Sequence, residues 1–310
     1  MSVDNSILNK DESVVNGNYQ NILQGGAINT LFTISSKNFK TDKYNTSPSI
    51  TKNGIQFSIR DYDKLIFNPN FYKVLDYIIL KLTPVLPYKS DDISRLKNFQ
   101  NLDIVVSDFI SDCGLSISNR AKAKEQLFNV IRILTRMNLT FDSVIKQGKK
   151  TKAEYINTPI CGAYNERGKF LIIFAPDFLK YLSNTYIMPF NTNLFKINMK
   201  NHANSYLIGR RLLLHKNMNY TKSNADIISV KSLLESMPSL PRYEEIRNTD
   251  RRITIRIIEP LELALTALAC EYDILDSWSY QNPNPKSCED WLKSSIRFIF
   301  KDYPKRTKNK

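Results

Sequence analysis

Arg251, Arg252 and Arg256 fall within the first two turns of the run "NTDRRITIRIIEPLELALTALA", residues 248–269, whose apolar members recur every three or four positions. A guanidinium is planar, permanently charged and shaped to meet a phosphate or the edge of guanine with two hydrogen bonds. At the leading end of a helix, three of them oppose the helix dipole, so the helix itself gives no reason for the cluster. An external anion does. Asn248 and Thr254 add neutral hydrogen-bonding groups to the same stretch. In a helix-turn-helix, the front of the second helix meets base edges in the major groove. Here Arg251, Arg252 and Arg256 would do so while Ile253, Ile257, Leu261, Leu265 and Leu268 hold the helix to its core. Pro260 removes one backbone donor and is expected to kink the helix just behind this front. The competing account is a solvated helix start whose arginines pair with Asp250 and Glu259.

Three further groups have similar chemistry. Asn119, Arg120, Lys122 and Lys124 open a long helix that starts near Ser118, after a short helix and a turn at Gly114. They occupy the same place in a first module, with a solvated helix face as the alternative. Lys149, Lys150 and Lys152 open the second of the β-like runs "LTFDSVIKQ" and "KKTKAEYINTPICGAY". They are expected at the tip of a wing that lies along a phosphate backbone. Arg210 and Arg211, in "GRRLLLHK", either touch phosphates or lay their stems over the core. The closing "KDYPKRTKNK" suits a weak contact without sequence preference.

Catalytic constellations are not found. His202 and His215 are the only histidines, too far apart for the paired metal-binding motif of a DNA nickase. "GAYNERGKF", residues 162–170, has five residues between its glycines and Phe170 where a phosphate-binding loop needs Ser or Thr, so it reads as a hairpin turn. Cys113, Cys161, Cys270 and Cys288 include no CxxC pair, which leaves them reduced and structural. No nucleophile stands in a recognisable arrangement with either histidine, and no metal or other cofactor is called for.

These residues need elements to position them. The 310 residues are enough for about two domains, and 42% hydrophobic content excludes a disordered chain. Lys+Arg 44 against Asp+Glu 30 leaves +14, a surplus that favours a polyanionic partner, with duplex DNA first and an acidic membrane surface second. The opening "MSVDNSILNKDESVVNG" lacks the basic and apolar regions of a leader, and no apolar run spans a membrane, so a cytoplasmic location is expected. Residues 1–53, polar and interrupted by Gly25 and Gly26, read as a disordered or weakly ordered arm. "NPNFYKVLDYIILKLTPVL" places Phe71, Leu75, Ile78, Ile79 and Leu82 on one helical face, ended by Pro84. Strand, short helix, turn, long helix and strands follow, and the order recurs after residue 198. The expected fold class is α+β: a first winged helix over 54–198, a second over 199–303, and a basic tail over 304–310.

The second half carries a family likeness in "NHANSYLIGRRLLLHKNMN", "SVKSLLESMPSLPRYEEI", "RIIEPLELALTAL" and "CEDWLKSSIRFIFKDYP". In these runs, and in the order of its parts from about 54 to 304, the chain resembles plasmid replication initiators of the iteron-binding type. The resemblance implies a bacterial, plasmid-associated protein without enzymatic activity, whose two winged helices read directly repeated origin sites in double-stranded DNA. It also implies autoregulation of its own promoter, a homodimer formed through the first winged helix, and recruitment of host helicase or initiator. A transcriptional regulator with the same modules and no origin-opening activity is the other reading.

Overall fold

In the computed structural model the described residues are 14–31, 49–52, 55–60, 69–90, 92–144, 152–237, 240–241 and 250–304. They form two compact units, one from the described residues of Ile22–Ile187 and the other from those of Glu12–Asn21 and Met188–Lys310. The chain leaves the first unit earlier than the joint expected near Asn198.

The weakly ordered arm expected over 1–53 is corrected for its described part. Strands β1 (Val14–Asn16) and β2 (Tyr19–Gln24) pair antiparallel and are followed by helix α1 (Gly26–Leu31). Tyr19, Ile22, Leu23, Ala27, Ile28 and Leu31 are all buried, enough apolar surface to hold the segment down against its polar composition. The Tyr19 hydroxyl donates to the Lys301 carbonyl at 3.0 Å, and its ring meets Tyr303 edge-on at 5.6 Å. In the first unit, the Ala27 N–H donates to the Tyr181 hydroxyl at 2.9 Å. Gly25 is needed there, because a Cβ would stand 2.2 Å from that hydroxyl oxygen.

Within the first unit, β3 (Ser49–Lys52) and β4 (Ile55–Ile59) precede α2 (Pro69–Leu82), in which the five core residues expected from the sequence are all buried. Next come α3 (Ile93–Lys97), β5 (Asn101–Val105), α4 (Val106–Asp112), a 3-10 turn (Ile117–Asn119) and α5 (Arg120–Leu134). Gly114, at φ 60°, lies in the tight connection from α4 to that turn. β6 (Met137–Val144) and β7 (Lys152–Asn157) join a four-stranded sheet in the order β3-β4-β6-β7. β8 (Ile160–Glu166) and β9 (Lys169–Phe174) pair with β5 in the order β5-β9-β8, and α6 (Pro176–Ser183) and β10 (Tyr186–Asn191) follow.

The second unit uses the same order of parts. α7 (Ala203–Met218) leads into β11 (Ile227–Ser229) and α8 (Val230–Leu234). The long helix follows in three pieces: α9 (Asp250–Ile253), a π-helical turn (Thr254–Ile258) and α10 (Glu259–Cys270). β12 (Leu275–Tyr280), α11 (Cys288–Lys293) and β13 (Ser295–Phe300) complete it, with strand order β11-β13-β12. In both units the strand leading into the short helix, β5 before α4 and β11 before α8, pairs with the last strand of the hairpin, the sheet of a winged helix. The α+β tandem of winged helices expected from the sequence is what the chain forms.

Candidate nucleic-acid interface

Ile253, Ile257, Leu261, Leu265 and Leu268 are all buried, and each contributes about 1.5–3 kcal/mol of burial to anchoring the long helix. Arg252, Thr254 and Arg256 project on the exposed side. Among the described residues neither Arg252 nor Arg256 is ion-paired or hydrogen-bonded, so neither pairs with Glu259; the side chain of Asp250 lies outside the described residues. Arg251 lies in α9 with its side chain outside the described residues, and Asn248 lies outside them altogether. Pro260 acts through a widened turn. It has no N–H to offer the Arg256 carbonyl, and the Glu259 N–H bonds back to Thr254, five residues earlier.

At the front of α5, Asn119, Arg120, Lys122 and Lys124 are all exposed. The Ser116 hydroxyl accepts the Ser118 N–H and sets the 3-10 turn that delivers this end. α5 is seated by Ala123, Leu127, Val130, Ile131, Ile133 and Leu134. Arg120 reaches sideways: its Nη2 lies 2.8 Å from where a Cβ on Gly168 would stand. Gly168 (φ 85°) and Arg167 (φ 48°) are the central residues of the two-residue turn joining β8 to β9.

That hairpin, and not the strand pair bearing the lysines, is the wing of the first unit. The wing expected at Lys149, Lys150 and Lys152 is corrected accordingly: β7, which begins at Lys152, pairs with β6 in the separate four-stranded sheet. Lys149 and Lys150 lie outside the described residues, as does the side chain of Lys152. "NERGK" was legible as a hairpin turn, but its pairing with β5 was not.

The adjacent arginines of α7 are also corrected as phosphate contacts. Arg210 is 2% exposed, part of the core of its unit. Arg211 is half-buried and its Nη2 donates to the Ser232 hydroxyl at 2.7 Å, bracing α7 against α8. In the same unit Trp291 Nε1 donates to the Tyr280 hydroxyl at 3.0 Å, and that hydroxyl bonds Glu262 Oε1 at 3.1 Å. This chain ties the end of β12 nearest the connection to β13 to α10. His202 lies 3.7 Å from Glu271, and burial lowers the His215 pKa, an environment for a packed ring more than for a ligand. Among the described residues no group of three or more His, Cys, Asp or Glu could hold a metal ion. Also among them, no helix is long and apolar enough to cross a membrane. All four cysteines are free.

Fold and site together define a tandem winged-helix protein whose two second helices present exposed cations at their leading ends. Its fold is similar to that of the Pi initiator protein, whose crystal structure is a complex with iteron DNA: identity is 13%, the TM-score is 0.50, and the match covers 81% of this chain and 98% of that one. Domains 2 and 3 of RctB match at 12% identity and a TM-score of 0.46, over 88% of this chain and 98% of that one. No family model and no curated protein matches the sequence.

Proposed function

We propose that this protein initiates plasmid replication without enzymatic activity, by binding directly repeated sites in duplex DNA at an origin and opening the adjacent strands. The observation that carries this reading is the doubled arrangement itself: two winged helices on one chain, each with exposed cations at the front of its major-groove helix that make no ion pair among the described residues. Arg252 and Arg256 suit base edges, and Arg120, Lys122 and Lys124 suit phosphates or bases one module away. The likeness of the fold to an initiator solved on iteron DNA supports the same assignment. Opening would draw on binding energy spent in deforming the duplex, with no nucleotide hydrolysed. Repression of its own promoter, a dimer through the first winged helix, and recruitment of host helicase or initiator belong to the proposal.

The test uses a supercoiled plasmid carrying the DNA that flanks the gene. Nuclease footprinting should show protection of short direct repeats. Permanganate should then find reactive thymines in a neighbouring AT-rich tract with no nucleotide present. Protection without reactive thymines would leave a winged-helix transcriptional regulator, and no protection anywhere would remove duplex reading.

A further inference from the structure

Ile117 is the most exposed large hydrophobic side chain among the described residues, at 81%, and Ile255 is exposed at 63%. Single exposed apolar side chains are ordinary on protein surfaces. The placement of these two is not. Ile117 opens the 3-10 turn that runs directly into Asn119, Arg120, Lys122 and Lys124. Ile255 lies three residues after Arg252 and next to Arg256, in the widened turn where the long helix keeps Ile253 and Ile257 for its core. Each major-groove helix therefore begins with one bare aliphatic group set among exposed cations. Isoleucine is a poor choice for a solvated helix position, since its branched Cβ loses rotamer freedom there, and both of these side chains stay mostly exposed.

The major groove offers a matching surface. Its one exposed aliphatic group is the 5-methyl of thymine, and neighbouring guanine presents N7 and O6 acceptors that suit arginine. Extending the duplex-binding reading on which it rests, we propose that Ile117 and Ile255 determine specificity, each packing on a thymine methyl beside the bases or phosphates held by its neighbouring cations. The lone cations fix charge and register; the isoleucine adds discrimination against cytosine and against thymine on the wrong strand.

The binding site is found by the experiment itself. Duplexes are first selected by the full-length protein from a random library in the presence of excess nonspecific DNA. In the selected duplex each thymidine is then replaced singly by 2′-deoxyuridine, which pairs identically and lacks only the methyl. For the wild-type protein, affinity should fall about three- to tenfold at one or more positions in each module's half of the site. Ile255→Ala should bind the thymine duplex with a similar loss and lose the distinction between thymine and uracil in the second module's half. Ile117→Ala should do so in the first. The uracil scan of the wild-type protein stands even if a variant folds poorly. Indifference of the wild type to every replacement would overturn the proposal while leaving sequence-specific binding intact, as would unchanged discrimination by both variants. Failure to enrich any sequence would overturn it together with the duplex reading beneath it.

Discussion

Substituting Gly209 by alanine sets two effects against each other. Gly209 lies in the middle of α7, where alanine ordinarily stabilises a helix by about 1 kcal/mol. The Cβ it would gain stands 2.6 Å from Leu194 Cδ2 and 3.0 Å from Leu268 Cδ2. Both leucines are fully buried, so neither has open space into which to turn. Overpacking of this kind costs about 1–3 kcal/mol, and with both neighbours enclosed the upper part of that range applies. The net expectation is a loss of about 1–2 kcal/mol, or a midpoint lower by about 3–8 °C. Both tryptophans of the chain, Trp278 and Trp291, lie in the second unit, so their fluorescence during urea or thermal unfolding reports the relevant unit alone. Leu268 belongs to the buried stripe of α10, so DNA affinity should weaken as well. An unchanged or raised midpoint would refute the argument, because it would mean that the close crossing of α7 and α10 yields to a methyl group without strain.

Arg252→Ala and Arg256→Ala should each leave the unfolding midpoint within about 0.5 kcal/mol of wild type while costing about 1–3 kcal/mol on a selected duplex and much less on random DNA, read by fluorescence anisotropy. Arg210→Ala should do the reverse, losing about 3 kcal/mol or more of stability because a buried guanidinium is removed from the groups arranged around it. Native thiol titration with Ellman's reagent should modify Cys161 and Cys270, which are exposed, and spare Cys113 until the chain unfolds. Burial closes that thiol off and pushes its pKa up to about 11. Burial also lowers the His215 pKa, so the unfolded chain binds the proton more readily. Stability should therefore fall as the pH drops through about 6.5, and His215→Gln should flatten urea midpoints measured between about pH 7.5 and 5.5.

What was legible in the sequence followed a short repeat. The buried stripes of α5 and of the long helix return every three or four residues, and one solvated face leaves the pattern clean. α7 has no such face: it is buried on most sides, so the neighbours Arg210 and Arg211 differ in surroundings with nothing local to distinguish them. Long-range pairing was invisible for a different reason. Two hairpins follow α5, and only the pairing of β9 with β5, some sixty-odd residues apart in places, selects β8–β9 as the wing. The lysines near β7 drew the assignment because charge is readable locally and strand partnership is not. At the start of the chain, Asn and Ser outnumber the apolar residues that matter, so composition hid a strand and helix whose apolar side chains from Tyr19 to Leu31 are buried.

The two winged helices share more than an order of elements. In the first, Val105 pairs with Lys169 and the Val106 N–H donates to the Gly168 carbonyl at 3.0 Å. In the second, Ser229 pairs with Ser295 and the Val230 N–H donates to the Ser294 carbonyl, again at 3.0 Å. Each bond joins the first residue of the short helix to the residue just before the last strand, so the hairpin and the helix pair are set in one register. Side chains also approach from hairpin to long helix, differently in each unit. In the first the Arg120 guanidinium lies close to the Gly168 turn, and in the second the Trp291–Tyr280–Glu262 chain of hydrogen bonds joins the two. The backbone bond is indifferent to side chains, which is how the same geometry survives in two halves without evident sequence identity. The side-chain ties are free to differ. One uses a residue from the cationic front itself; the other leaves Arg252 and Arg256 uncommitted, so the second unit has both guanidinium groups available for an anion while its wing is held by neutral and acidic groups behind them.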